Sequence, residues 1–357
     1  MNKTMEDYIR ETSDTLLLNI EIRKDLTKPL IGWLKKEGIK IGKTVVFVAS
    51  GSSYNAVQGA LMFMNKHMKN EVRLISPFEF CYYETITDNH IYLFVSQSGC
   101  STNIADAVKK YQEMGGYAIA VLGNCDTTIA KLADEAIEYG VGEETVGYVT
   151  KGVMTLTGYC MITALELAAE YMDKAVYEEV LEDLKKAAAN HIKVYEQAKV
   201  FCKENEKAFL SMEHVMLMSG GANMGTIREG ALKLSEMVHV QTTYCEAEEF
   251  IHGPNLQLTP QYTLFFVDGG DAAGKRIKEI QSAAKEMTDK TFLISASEWN
   301  ADQTDEAVTP LYLTAFFQYL ACWAARELNI NGEHPFYIRF KEHVKNKTDD
   351  YKEESPF

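Results

Sequence analysis

The chain reads as an α/β protein with parallel sheets, laid out in two similar halves. Three observations predict this. Short apolar runs alternate with longer stretches of helical periodicity, the pattern of repeated βαβ units. The runs at 45–49 and 91–95 are apolar throughout, so helices are expected on both faces of the sheet. Beyond residue 210 or so, the order strand, glycine turn, helix begins again, which signals an internal duplication.

The opening region, about residues 4–37, places Leu16, Leu17, Ile20, Ile22 and Leu26 at helical spacing and ends near Lys36-Glu37-Gly38, and reads as a helical region. Strands are expected at 44–49, 71–75, 91–95, 117–122 and 136–139, with helices at 54–68, 102–114, 126–133 and 151–172. The stretch 174–206 is rich in Glu and Lys and lacks Gly and Pro, so it reads as a connecting helix or helix pair. Residues 215–218 then lead into Ser219-Gly220-Gly221-Ala222-Asn223 and a helix from about Thr226 to Val238, matching the order seen from Val45 to Asn55. The expected organisation is a helical region (1–40), a first subdomain (41–175), connecting helices (176–207), a second subdomain (208–345) and an acidic tail (346–357).

With 357 residues, 46% of them apolar, the chain is long enough for two domains of ordinary size or for two similar halves sharing one interface, and can bury a sizeable core. The balance of 36 basic against 51 acidic residues gives a net charge of −15 and argues against a nucleic-acid surface. Any anion site must therefore be built locally. Seven cysteines stand singly, without a CxxC pair, which fits a reducing compartment. Residues 1–7 carry acids early with no apolar run behind them, and no later stretch is long and apolar enough to span a bilayer. A soluble, cytoplasmic protein is expected.

The strand at 45–49 runs into Ser50-Gly51-Ser52-Ser53, and that at 91–95 into Ser96-Gln97-Ser98-Gly99-Cys100-Ser101. Each turn sets hydroxyls and unpaired backbone N–H groups at a helix N-terminus, which suits a phosphate. Serine is also a common N-cap, but two such turns on successive strands favour the anion. In the second half the strand at 263–267 meets Asp268-Gly269-Gly270-Asp271, whose carboxylates would repel a phosphate. Only the first half is expected to bind one.

Glu229, Lys233 and Glu236 fall on one helix face, as a solvated ion pair or as part of a site. His252 follows Glu248-Glu249-Phe250-Ile251 and precedes Gly253-Pro254; it is a candidate acid/base or a turn histidine bonded to the backbone. The remaining histidines show no metal-ligand spacing, and no dinucleotide, Walker or nucleophile-elbow motif occurs. Neither metal nor cofactor is expected.

Ser-Gly-Ser-Ser-Tyr-Asn (50–55), Ser-Gln-Ser-Gly (96–99), Thr150-Lys151, Glu-Gly-Ala-Leu-Lys-Leu-Ser-Glu (229–236) and Glu-Glu-Phe-Ile-His-Gly-Pro (248–254) resemble the motifs of the sugar isomerase (SIS) family. The likeness extends to the isomerase half of glucosamine-6-phosphate synthase and to fructosamine-6-phosphate deglycases. It implies two SIS subdomains, each a flavodoxin-like α-β-α sandwich around a five-stranded parallel sheet, in a homodimer or higher oligomer with a shared active site.

By the same likeness Ser52, Ser53, Ser96, Gln97, Ser98 and Ser101 would bind the phosphate of a small-molecule sugar phosphate, and Thr150 and Lys151 would line the sugar pocket. Glu236 would move a proton between C1 and C2, Lys233 would lie near the sugar hydroxyls, and His252, from the partner subunit, would assist ring opening. The synthase's glutaminase has no counterpart in these 357 residues. Its Leu-Ala-Lys ending is replaced by His334-Pro335-Phe336-Tyr337-Ile338-Arg339-Phe340, which is more similar to the deglycases. The expected function is cleavage of a 6-phosphorylated ketosamine to hexose 6-phosphate and a free amine. A glucosamine-6-phosphate isomerase or deaminase and a non-catalytic sugar-phosphate-binding module are the alternatives. The tail at 349–357 is left open, either ordered over a neighbouring subunit or loose.

Overall fold

The structure, a computed structural model, describes residues 3–39, 42–270, 272–299, 301–330, 332 and 334–352. It divides into two compact units that do not follow chain order: residues 18–178 with 332–357 and the first three residues, and residues 4–17 with 179–331. The opening region is two helices, α1 (Met5–Glu21) and α2 (Arg23–Lys36).

In the first unit α2 is followed by β1 (Thr44–Val48), α3 (Gly51–His67), β2 (Val72–Ile75), α4 (Pro77–Tyr82), β3 (His90–Ser96), α5 (Thr102–Glu113), β4 (Ile119–Leu122), α6 (Thr128–Leu132), β5 (Glu135–Glu138) and α7 (Lys151–Ala168). The sheet is parallel throughout, in the order β2-β1-β3-β4-β5. β1 is buried along its whole length and β3 at all but its first residue, as the continuous apolar runs require of strands covered on both faces. α7 is apolar nearly all round and buried at every residue but Glu166; such a helix belongs in a core. From β1 the chain winds one way to β2, and from β3 the other way to β4 and β5. The direction of winding reverses between β1 and β3, and ligands of open α/β sheets bind outside the carboxyl ends of strands at such a point.

The stretch expected as one helix or two is a single helix, α8 (Lys174–Glu204), with a buried stripe through Leu181, Leu184, Ala188, His191, Tyr195, Ala198 and Cys202. After it come α9 (Glu206–Phe209), β6 (His214–Ser219), α10 (Met224–Lys233), β7 (Gln241–Glu246), α11 (Ala247–Ile251), β8 (Tyr262–Asp268), α12 (Gly274–Ala284), β9 (Thr291–Ser295) and α13 (Pro310–Glu327). Their strands form a parallel sheet in the order β7-β6-β8-β9. Among the described residues this corrects the expectation of five strands in each half. Residues 296–309 are mostly polar and rich in acids, and a run of that kind has no apolar face to pack as a strand. The described part of it passes through a 3-10 turn, Glu306–Val308, into α13. A last helix, α14 (Pro335–His343), is counted with the first unit.

The duplication is visible in backbone angles. Gly51 opens α3 at φ +56 after an extended Ser50, and Gly221 repeats this at φ +54 after an extended Gly220. Both positions need the left-handed conformation that glycine adopts without strain.

Candidate active site

The two serine turns stand at the carboxyl ends of neighbouring strands, since β1 pairs with β3 through Val48 and Phe94. Ser50 and Ser101 occupy the N-cap positions of α3 and α5, yet neither side chain caps its helix. The serines are therefore not explained as caps alone. Ser53 Oγ accepts from the Gln97 N–H at 3.2 Å and joins the turns. Ser96 Oγ lies 3.2 Å from Ser101 Oγ and accepts from the Gly99 N–H. Ser98 Oγ accepts from the Cys100 N–H and, at 2.8 Å, from Lys347 Nζ. Ser52, Ser53 and Ser96 are buried. The second turn is held by Gly99, at φ +62, where a Cβ would overlap the side chain of Thr127.

A third loop meets these turns through Glu144. Its carboxylate accepts from the backbone N–H groups of Thr150 (2.9 Å), Lys151 (2.6 Å) and Gly152 (3.0 Å), and from Gln97 Nε2 at 3.3 Å. Burial pushes its carboxyl pKa up, while those N–H groups and the Lys151 charge pull it back. Glu144 thus fills the amino end of α7 with an anion belonging to the chain, and it orients Gln97 by the same contact. Lys151 and Thr150 are buried; the Lys151 ammonium donates to the Glu143 carbonyl at 2.9 Å and the Thr150 hydroxyl to the Tyr148 carbonyl at 2.8 Å.

The second unit resolves the face shared by Glu229, Lys233 and Glu236. It is not a solvated face. The Lys233 side chain is 1% exposed, and its ammonium lies 3.3 Å from Glu229, also 1% exposed, and 2.9 Å from Glu236, which is 33% exposed. Burial works to lower the lysine pKa, but the two carboxylates outweigh it and hold the ammonium above lysine's usual range. α10 ends on Lys233 and the next turn, Leu234–Val238, is π-helical and closes on His239 in the left-handed conformation. Such turns are frequent at functional sites; here the turn carries Glu236. His252 caps the carboxyl end of α11, exposed and followed by Gly253 at φ +144.

The second unit's own turn is already filled. Asp268 ends β8 as Ser96 ends β3, and its buried carboxylate accepts from the Gly270 N–H at 2.7 Å and from Ser295 Oγ at 2.8 Å, with Lys278 Nζ at 3.3 Å. Asp271, the other acid expected there, lies outside the described residues. Among the described residues no group of three or more His, Cys, Asp or Glu side chains is placed to hold a metal, and no helix is long and apolar enough to cross a membrane.

Residues 39–170 match the family model described as SIS domain. Over that stretch the chain is similar to a SIS domain. The match covers both serine turns, Glu144, Thr150 and Lys151, so the resemblance seen in the motifs holds for the first unit. Among curated relatives, the glutamine–fructose-6-phosphate aminotransferase (isomerizing) of Clostridium tetani is 26% identical over 71% of this chain and 42% of its own length. The chain spans about half the length of the curated relatives it matches. Among solved structures, a provisionally named phosphosugar isomerase of Clostridium difficile 630 superposes with a TM-score of 0.84 at 21% identity, covering 97% of this chain and 99% of that one. A glucosamine-6-phosphate deaminase of Thermotoga maritima gives 0.66 at 17% identity over 88% and 94%. These likenesses show a shared fold over nearly all of this chain.

Proposed function

We propose that this protein is a sugar-phosphate deglycase: it cleaves a 6-phosphorylated ketosamine, such as fructoselysine 6-phosphate, to a hexose 6-phosphate and the free amine. The observation that carries the reading is the buried Lys233 ammonium shared between Glu229 and the partly exposed Glu236. A carboxylate that takes a proton from one carbon and returns it to the next must be held in one direction by a group that does not compete for the proton. Lys233 meets that requirement, because two carboxylates keep it charged and Glu229 balances it within the core.

The serine turns of the SIS domain anchor the phosphate, and that binding energy positions the reacting carbons. His252 assists ring opening. Glu236 removes a proton from C1 of the open ketosamine, the freed pair forms a C1–C2 double bond while the C2 carbonyl pair moves onto its oxygen, and that oxygen takes a proton from water to give the enaminol. Return of the proton to C2 gives a Schiff base between C1 and the amine nitrogen. Water adds at C1, the carbon–nitrogen bond breaks, and the aldehyde sugar phosphate and the amine leave. The ending His334-Pro335 with Arg339 supports the deglycase over an isomerase or deaminase, which would use the same residues. The reading includes a cytoplasmic dimer or larger oligomer with a shared site.

The test is release of hexose 6-phosphate from fructoselysine 6-phosphate, beside glucosamine 6-phosphate and fructose 6-phosphate with ammonia, by the full chain and by Glu236→Gln. Turnover of the ketosamine alone, abolished in Glu236→Gln with binding retained, is the expected result. Turnover of the unsubstituted aminosugar alone moves the assignment to isomerase or deaminase. Saturable binding with no turnover on any of them makes the protein a binding module and removes the roles given to Glu236 and His252.

A further inference from the structure

The residues after α14 return to the first unit and lie across its second serine turn. Lys347 forms an antiparallel bridge with Ser101, the Thr102 N–H donates to the Asn346 carbonyl at 3.2 Å, and the Thr348 N–H donates to the Cys100 carbonyl at 2.8 Å. The segment is clasped at its far end by Asp350, whose carboxylate accepts from the Thr128 N–H at 3.0 Å, from the Thr128 hydroxyl and from the Thr348 hydroxyl. Between these ties Lys347 Nζ reaches Ser98 Oγ at 2.8 Å, from 249 residues further along the chain, with its ammonium 4.7 Å from the Tyr351 ring centroid.

A phosphate monoester carries about −1.5 to −2 charges at neutral pH. Neither 50–55 nor 96–102 contains a lysine or arginine, so those two turns themselves offer it only hydroxyls and amides, in a chain of net charge −15. We propose that residues 346–350 are a built-in strap and that Lys347 supplies the cation of the phosphate site, moving its donor from Ser98 to the incoming phosphate. The Asp350 carboxylate is spent on Thr128 and Thr348, which fixes the strap's register and places Lys347. This inference rests on the phosphate-binding reading of the serine turns.

The experiment is calorimetric titration of the full chain with fructose 6-phosphate, and with fructose as control, at low and high salt. The proteins compared are wild type, Lys347→Met, Lys347→Arg and Asp350→Ala. Charge-assisted bonds to phosphate are among the strong ones, so Lys347→Met should weaken fructose 6-phosphate binding at least roughly ten-fold and flatten its salt dependence. Lys347→Arg should recover most of the loss, and Asp350→Ala should weaken binding less than Lys347→Met does. Equal affinity in wild type and Lys347→Met overturns the strap and leaves the serine-turn reading standing. No binding of fructose 6-phosphate by wild type overturns both.

Discussion

His191 makes a prediction whose size can be worked from its surroundings. It lies on the buried stripe of α8 with no exposed surface, and neither ring nitrogen has a hydrogen-bond partner among the described residues. Burial pulls its pKa down from 6.5 to about 3, because an imidazolium there would lose its hydration without gaining a counter-charge. The neutral ring is the folded form. In the unfolded chain the ring protonates once the pH falls below about 6.5, so its contribution is complete above that value and is lost progressively as the pH drops toward the folded pKa. Each pH unit in that window costs about 1.36 kcal/mol. Between pH 8 and pH 5 the loss is therefore about 2 kcal/mol. The assay is urea unfolding of wild type and His191→Leu at both pH values, with His191→Met as a second apolar variant. Groups common to both proteins cancel in the difference. The apolar variant should gain on wild type by about 2 kcal/mol as the pH falls from 8 to 5; a gap that does not change with pH would refute the neutral buried imidazole.

Two further outcomes are expected. Glu229→Ala leaves the buried Lys233 ammonium with Glu236 as its carboxylate partner, so stability should fall by about 3 kcal/mol, the lower end for breaking a buried pair, read as a drop in the unfolding midpoint. Gly99→Ala adds a side chain at a positive φ and drives it into Thr127; it should cost about 2–4 kcal/mol and weaken fructose 6-phosphate binding, which calorimetry on the folded variant would register.

What was legible in the sequence was what is encoded over short distances. The strands announce themselves because β1 and β3 are apolar at nearly every position, and the serine turns because strand, turn chemistry and helix are contiguous. α4 was missed although it carries local signals: Ser76 is its N-cap and accepts from the Glu79 N–H at 3.0 Å, and Pro77 fills its first position. At two turns it is too short for apolar periodicity to register. The spacing of Glu229, Lys233 and Glu236 showed a shared face but not its burial, which α13 and the sheet decide. Glu144 left no signal, because its partners lie six to eight residues ahead across an irregular loop and 47 residues back at Gln97. Lys347 is the extreme case, since no local pattern connects it with Ser98.

Asp268 gives the two halves different thermodynamic characters. Its carboxylate sits where an incoming anion would, bonded to Gly270, Ser295 and Lys278, so the turn after β8 carries its counter-ion as a covalent part of the chain, at an effective concentration no buffer can dilute. The serine turns, on the reading proposed above, take their anion from solution. Whatever anion they take stabilises the fold that holds them in proportion to its saturation, so resistance to heat or denaturant should rise as that ligand is added.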